Sequence, residues 1–207
     1  MYVLWSLVGV LIAAGVGVGV WRPWRDTVTL PPSACWGMLE KADYQPLAGS
    51  SGTATEEVDA EFHGGPYRFG IPQTQCNLLW NGKGREILDV MIQQQSADPE
   101  KSDIPEFGGG KPHRWDFGAD AIGWTGDSKV PVVELFLRCQ YATAADAPPI
   151  QPYVQLRVMA SEGVASAALP EVRQALADVS LKLAKTLAQR IPCSNSVQLA
   201  DRAPVIS

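Results

Sequence analysis

The chain has 207 residues, 46% of them hydrophobic and 19% charged. It is long enough for one domain of ordinary size and too apolar to be disordered throughout. Its 17 basic and 22 acidic residues give a net charge of −5. Nucleic-acid binding depends on clustered Lys and Arg, and the sequence has no such cluster, so we predict no nucleic-acid partner.

The N-terminal segment, residues 1–21, carries no charged side chain. About 20 apolar residues span roughly 30 Å as a helix, which matches the hydrocarbon thickness of a bilayer. Trp5 lies near one end, with Trp21 and Trp24 at the other, as is typical of residues at a membrane interface. We predict a transmembrane signal-anchor helix over residues 1–21, followed by a juxtamembrane linker over residues 22–33.

Two sequence signals disagree about the orientation of this anchor. Arg22 and Arg25 follow the apolar segment, and positive residues usually stay on the cytoplasmic side. The four cysteines indicate the opposite side, because an even number without zinc-type spacing favours disulfides in an oxidising compartment. We predict a single-pass protein of the cell membrane with an extracytoplasmic domain. A start codon upstream of Met1, adding basic residues, would remove the conflict.

The predicted domain covers residues 34–193. Its first part reads as short helices and loop. Ser33 is placed to cap a helix over residues 35–41, and Asp43 a second turn that ends at Gly49. Residues 50–58 are small and polar, which is typical of a loop.

Four strands and one long helix follow along the chain. Residues 73–80 and 86–94 alternate between apolar and polar side chains, and Asn81-Gly82 between them is a strong hairpin signal. Residues 133–141 and 154–160 alternate in the same way, which is typical of a sheet with one buried face.

The C-terminal helix is predicted over residues 170–190. Its apolar residues recur at three- and four-residue steps, as in an amphipathic helix; they are Val172, Leu176, Val179, Leu183 and Leu187. The predicted fold class is therefore α+β, an antiparallel sheet covered on one face by a long C-terminal helix, with an N-terminal transmembrane helix in addition. Residues 194–207 read as a flexible C-terminal tail.

Residues 95–129 are rich in proline and glycine and read as one long segment without regular structure. Loops of this length are frequently functional. We therefore predict a binding loop in which Trp115, Phe117 and Trp124 act as aromatic anchors. The alternative is that these rings fill the core of the domain itself.

The cysteines allow three pairings, of which we favour Cys35–Cys76 together with Cys139–Cys193. Cys139 lies on the buried face of its strand, and Cys193 lies just beyond the helix expected to cover that face. Each bridge would stabilise the domain by roughly 4 kcal/mol in the loop-entropy model. The alternative is four buried thiols in a cytosolic protein.

No catalytic or metal-binding motif is present. The chain has only two histidines, His63 and His113, and the spacing of Asp116, Asp120 and Asp127 matches no calcium loop. There is no nucleophile elbow, phosphate loop or dinucleotide fingerprint. We predict a protein that is not an enzyme and that has no cofactor and no metal site.

Two short cysteine motifs carry a family resemblance. Cys35-Trp36-Gly37-Met38-Leu39 is followed by residues 43–49, and Cys76-Asn77-Leu78-Leu79-Trp80 comes later, with a terminal helix closing the domain. This order of elements, over residues 33–193, resembles a class of actinobacterial cell-envelope proteins of unknown function, many of them lipoproteins. The resemblance implies an envelope location and a small α+β fold, and it implies no catalytic residues. The chain departs from that class because its apolar segment has no lipobox.

Together these features predict a membrane-anchored, extracytoplasmic binding or interaction module. Its expected partners are the membrane itself and either another envelope protein or a small ligand. One alternative is an accessory subunit of a membrane complex, contacted through the glycine-rich anchor helix. The other is an envelope hydrolase whose site the sequence does not reveal. The sequence leaves the oligomeric state open.

Overall fold

The computed structural model describes residues 27–59, 62, 71–81, 85–95, 99, 112–126, 129–141, 153–191 and 193–206. The predicted transmembrane helix lies outside these residues, as do residues 22–26 of the predicted linker. Within the described ranges, no helix has both the length and the apolarity that a membrane crossing requires.

The described residues form one large sheet and one small one. Eight strands join in the order β1-β4-β5-β6-β10-β9-β8-β7, while β2 and β3 pair separately. Neighbours in the large sheet are antiparallel except for β1 and β4. The strands are β1 (Val28–Thr29), β2 (Ser33–Ala34), β3 (Leu39–Glu40), β4 (Gly52–Val58), β5 (Thr74–Trp80), β6 (Glu86–Gln95), β7 (Pro112–Asp116), β8 (Ala121–Gly126), β9 (Val132–Arg138) and β10 (Tyr153–Met159).

The described helices are α1 (Lys41–Tyr44), a 3-10 helix (Gln45–Leu47) and the long α2 (Leu169–Arg190). Pro170 stands in the first turn of α2, where its missing N–H costs nothing. The Ala168 N–H donates to Glu171 Oε2 at 3.3 Å and so closes the start of the helix. Helix α2 packs against β9 and β10, which confirms the predicted α+β arrangement of a large sheet with a C-terminal helix on it.

The core lies between α2 and the sheet. On β9 and β10 the side chains that face α2 are the alternate apolar ones, as the period of two predicts. They pack in one cluster with the apolar stripe of the helix. All are buried: Val133, Leu135, Leu137, Val154, Leu156, Val158, Leu176, Val179, Leu183 and Leu187.

The predicted hairpin between β5 and β6 is also confirmed. Cys76 lies opposite Val90 and Leu78 opposite Leu88, so the predicted apolar faces match. Asn81 adopts the left-handed conformation, with φ +55°, as the turn requires. Its side-chain oxygen accepts the Thr53 N–H at 2.9 Å and ties the turn to β4.

The predicted helix over residues 35–41 is wrong. Cys35, Trp36 and Gly37 have φ of 52°, 59° and 69° and form a left-handed turn between β2 and β3. The Cys35 N–H donates to Glu56 Oε1 at 2.6 Å. Tertiary contacts have therefore overridden the local helix signal.

The predicted loop over residues 50–58 is likewise wrong, because residues 52–58 form β4. This strand has little apolar alternation and obtains its hydrogen bonds from β1 and β5. Part of the predicted linker also belongs to the domain, since β1 pairs with β4 and Leu30 is only 7% exposed. The secondary structure of these regions is therefore determined by strand pairing between segments that are distant along the chain.

Residues 112–126 are a β-hairpin and not part of a long loop. Strand β7 pairs with β8, and β8 pairs with β9. Gly123 allows close packing at this point, because a Cβ there would lie 2.5 Å from Cε2 of Phe117. The loop prediction is therefore wrong for this stretch, and the rest of 95–129 lies largely outside the described residues.

The C-terminal segment 194–206, predicted to be flexible, is packed against α2. The Ile206 N–H donates to Gln174 Oε1 at 2.9 Å, and Gln174 Nε2 donates to the Pro204 carbonyl at 3.2 Å. Lys185 Nζ donates to the Asp201 carbonyl at 2.8 Å. Ile206 is 4% exposed, so the segment adds to the core.

Candidate ligand pocket

The side of the sheet remote from α2 has a mixed surface, which we call the polar face. Its side chains alternate with those that face α2. On β9 and β10 it carries charged, amide and aromatic groups, where the opposite side of the same two strands carries only aliphatic ones. On β9 and β10 the polar face consists of Val132, Glu134, Phe136, Arg138, Tyr153, Gln155, Arg157 and Met159.

A chain of side-chain hydrogen bonds crosses the middle of the polar face. Gln93 Nε2 donates to Gln155 Oε1 at 2.7 Å, and Gln155 Nε2 donates to Glu134 Oε2 at 3.2 Å. Arg157 Nε lies 3.7 Å from Glu134 Oε1. Burial raises the pKa of Glu134, against the opposing effects of the Arg157 charge and the Gln155 hydrogen bond. These side chains are therefore coupled through hydrogen bonds and electrostatically.

A second carboxyl, Asp89, lies further across the same face on β6. Burial raises the pKa of Asp89, and the hydrogen bond from Gln75 Nε2 to Asp89 Oδ1, 3.0 Å long, works in the opposite direction. Glu86 raises the pKa of Asp89 further and Arg157 lowers it. The polar face thus holds two carboxyls whose charge burial disfavours.

An aromatic cluster flanks these polar groups. The rings of Trp124 and Phe136 meet edge to face, with centroids 5.2 Å apart and an interplanar angle of 83°. Both side chains are buried, at 3% and 4% exposure. Val132 completes the buried cluster, and Ile122 and Tyr153 pack against it. The aromatic cluster forms one boundary of the cavity described next.

At this end of the polar face lies a cavity of about 200 Å³. A dry cavity of roughly 150 Å³ accommodates benzene, so this one matches a ligand of one substituted ring. It is lined by Arg114 and Asp116 of β7, Ile122 of β8, Phe136 and Arg138 of β9, Tyr153 of β10, Pro99, and the residues 118–121 around the β7–β8 turn.

Three of the four charged side chains of the cavity make contacts that orient them. Asp116 Oδ1 accepts the Gly118 N–H at 2.8 Å, and Asp120 Oδ2 accepts the Gln198 N–H at 2.8 Å. The guanidinium carbon of Arg138 lies 6.0 Å from the ring centroid of Tyr153, within the range of a cation–π contact. With Arg114, the lining carries two positive and two negative groups, whose formal charges cancel.

The turn that forms the cavity wall is fastened to the C-terminal segment. Backbone bonds run from the Asp120 N–H to the Gln198 carbonyl at 3.1 Å and from the Ala200 N–H to the Phe117 carbonyl at 2.7 Å. Gly118 has φ +125°, and a Cβ there would lie 2.6 Å from both Leu199 Cα and the Ala200 nitrogen. Only glycine fits at this position.

Both disulfides form as the sequence favoured, with Cys35 bonded to Cys76 and Cys139 to Cys193. Cys139 directly follows Arg138 along the chain, so the Cys139–Cys193 disulfide joins β9 to the C-terminal segment. Ser194 Oγ donates to the Gln140 carbonyl at 2.9 Å beside it. Cys139–Cys193 therefore anchors the segment that supports the cavity wall.

Two of the three predicted aromatic anchors are buried. Phe117 is fully buried in the core cluster, and Trp124, 3% exposed, belongs to the smaller cluster on the polar face, so both rings pack within the domain as the alternative describes. Trp115 is partly buried and its Nε1 donates to Thr125 Oγ1 at 2.8 Å. None of the three is among the described residues that line the cavity.

Sequence reasoning missed the residues that the structure brings together here. The alternation of β9 indicated that Arg138 points away from the helix, but no local signal placed it beside Arg114 or Tyr153. The sequence analysis considered Asp116 and Asp120 only as metal ligands and predicted no metal site. Within the described parts of the chain, no three His, Cys, Asp or Glu residues lie close enough to hold a metal ion.

Comparisons of the chain with protein-family models, with curated proteins and with solved structures found no match. The function of the chain must therefore be inferred from the chemistry of its residues.

Proposed function

We propose that this chain is a non-enzymatic binding protein of the cell envelope, tethered by residues 1–21, and that the cavity on its polar face is the ligand site. The observation that carries this proposal is the composition of the cavity. It combines two guanidinium groups, two carboxylates and two aromatic rings from β7, the β7–β8 turn, β9 and β10. Such concave sites with a few fixed polar groups are typical of ligand binding.

Preorganisation supports binding at this cavity. Asp116 and Asp120 are fixed by backbone N–H groups, and the turn between them is bonded to the C-terminal segment. A ligand would therefore meet groups whose conformational entropy folding has already restricted. The flanking pair of Trp124 and Phe136 is buried and leaves little freedom to the adjacent wall.

The extracytoplasmic location is supported by the disulfides together with the apolar N-terminal segment. Every described cysteine is paired, and disulfides persist mainly in oxidising compartments. The location is tested by alkylating the thiols of the native protein in intact cells with and without prior reduction. We expect labelling only after reduction, and protease added outside should cleave the domain. Full labelling without reductant and complete protection from protease would contradict this part of the proposal.

Ligand binding is tested with the full chain in lipid nanodiscs by saturation-transfer NMR. The probes are single-ring compounds of three classes (neutral methyl glycosides, hexose phosphates and aromatic carboxylates) together with amino acids. We expect at least one class to bind the unaltered chain and to lose binding in Arg138→Ala. The matched control is Arg202→Ala, an exposed arginine of the C-terminal segment, which should bind normally. Absence of binding by every class, or equal binding by both variants, would overturn the proposal.

A further inference from the structure

We infer that the ligand of this cavity is a neutral pyranose sugar, alone or as one ring of a glycan. This inference rests on the proposed function, because it names the ligand class of the same site. Three properties of the cavity carry it: its balance of donors and acceptors, its aromatic wall, and its cancelled charge.

The cavity presents both hydrogen-bond donors and acceptors, and its two arginines also have partners within the chain. The guanidinium groups of Arg114 and Arg138 only donate, while the carboxylates of Asp116 and Asp120 only accept. Each carboxylate uses one oxygen for a backbone N–H, and its second oxygen keeps acceptor capacity. A sugar hydroxyl both donates and accepts, so adjacent hydroxyls on a ring match this alternation of partners.

The remaining wall of the cavity is aromatic and aliphatic. Tyr153, Phe136 and Ile122 line it, and Tyr153 is held against the Arg138 guanidinium. A pyranose ring presents its C–H groups on one face and its hydroxyls around the edge. An aromatic ring beside charged groups is complementary to that division, and the cavity volume of about 200 Å³ is suited to one ring.

The charge of the lining disfavours a strongly anionic or cationic ligand. A phosphate or carboxylate drawn to Arg114 and Arg138 would also approach Asp116 and Asp120, and the repulsion would offset much of the attraction. A neutral polyol meets no such conflict. Beyond the cavity, Gln95 lies opposite Tyr153 in the strand register, and its amide group both donates and accepts. A second sugar ring would therefore meet compatible chemistry along this line.

The test again uses the full chain in lipid nanodiscs, because detergents with sugar headgroups would compete. The probes are methyl α-D-glucopyranoside, methyl α-D-mannopyranoside and methyl β-D-galactopyranoside, with glucose 6-phosphate, benzoate and glycine for comparison. We expect at least one neutral glycoside to bind. Its affinity should be nearly independent of ionic strength, whereas binding of an anion to the arginines would weaken as salt is added.

Two pairs of variants sharpen the test. Tyr153→Leu should lose about tenfold in glycoside affinity, the equivalent of one aromatic contact, while Tyr153→Phe should retain it. Asp116→Asn is the second variant, for use if Tyr153→Leu does not fold. It keeps an oxygen that accepts the Gly118 N–H, so we expect the turn to remain folded. This variant should bind the glycoside more weakly and glucose 6-phosphate more strongly, since it removes one negative charge.

The outcomes separate this inference from the function on which it rests. If benzoate, glycine or the sugar phosphate binds in an Arg138-dependent way and no neutral glycoside does, the sugar inference is wrong and the binding function stands. If a glycoside binds but Tyr153→Leu and Asp116→Asn leave its affinity unchanged, the sugar lies elsewhere and the inference also fails. If no probe binds, both are overturned.

Discussion

The two faces of the large sheet are built from the same strands but differ in chemistry: the helix face is apolar, and the polar face carries charged and amide groups. On β9, Val133, Leu135 and Leu137 turn toward α2 and are buried among aliphatic groups, while Glu134 and Arg138 turn the other way. The helix face gains its stability from apolar area removed from water, which is non-directional and tolerant of similar side chains. The polar face depends on positions of individual donors and acceptors. We conclude that the helix face stabilises the fold, and that this stability allows the polar face to hold the proposed ligand site.

The largest effect should come from breaking the link between the two faces. Cys139 belongs to the core cluster, and its disulfide partner Cys193 begins the segment that supports the cavity wall. Replacing both residues with alanine should lower the free energy of unfolding by roughly 4 kcal/mol, as expected for a loop of this length. Chemical denaturation followed by tryptophan fluorescence measures the loss.

The matched control for this disulfide is the double replacement of Cys35 and Cys76. It should destabilise by a similar amount, because its loop is of comparable length, but it lies away from the cavity. Probe binding measured under conditions where both variants remain folded should fall only when Cys139 and Cys193 are replaced. Equal loss of binding in both variants would contradict a special link between this disulfide and the polar face.

The next effect concerns the helix face alone. Leu135 is fully buried against α2, and Leu135→Ala should cost about 3 kcal/mol through lost burial and the cavity left behind. Denaturant titration measures this loss of unfolding free energy, provided that the dependence of that free energy on denaturant concentration is the same in both proteins. Because Leu135 faces away from the polar groups, probe affinity of the folded variant should be unchanged, and a large drop would show that the two faces are not separable.

A smaller effect is expected at the turn of the cavity wall. Gly118→Ala should destabilise by roughly 2 kcal/mol, since the added Cβ would collide with the backbone of the C-terminal segment at a positive φ. Gly163→Ala is the control: Gly163 has φ +73°, and a Cβ added there would meet nothing within 4 Å, so only backbone strain of about 1 kcal/mol applies. Thermal unfolding compares the two, and equal losses would contradict the collision.

The smallest effect is a pH dependence from the polar face. The pKa of Glu134 is raised above its ordinary value of 4.5 by burial, so the folded state favours the protonated carboxyl. Glu134→Gln, which resembles that form, should therefore be more stable than the unaltered chain at neutral pH. The difference should shrink as the pH falls through the raised pKa and disappear below the ordinary value.

Denaturation curves collected between neutral and acidic pH test this sign. The control is Glu57→Gln on β4, where the side chain is exposed and no burial cost is relieved. A stability difference for Glu134→Gln that stays constant with pH, or that grows on acidification, would contradict burial as the cause.

Local periodicity accounts for what could be predicted from the sequence about the helix face. The strands around Leu78, Leu88, Leu135 and Leu156 alternate with a period of two, and α2 repeats with its own period. The same pattern favoured the pairing of Cys139 with Cys193, because it placed one on the buried face of the sheet and the other just beyond the helix that covers that face.

Other regions lacked such a signal. Strand β4 and the hairpin of β7 and β8 are rich in small, polar or glycine residues, and their regular structure comes from hydrogen bonds to strands distant along the chain. Segment 194–206 likewise packs because α2 and the β7–β8 turn offer it partners such as Gln174 and Asp120. Propensity does not encode these contacts, so each of these regions was predicted wrongly.

The sequence by itself determined a disulfide-bonded α+β domain behind an apolar N-terminal segment, because burial of alternating side chains is a property of neighbouring residues. Only the tertiary structure decided the candidate site. Arg114, Arg138 and Tyr153 come from three separate strands, β7, β9 and β10, and their meeting depends on strand order in the sheet. Strand order is set by competition among non-local pairings, and no single segment contains the outcome.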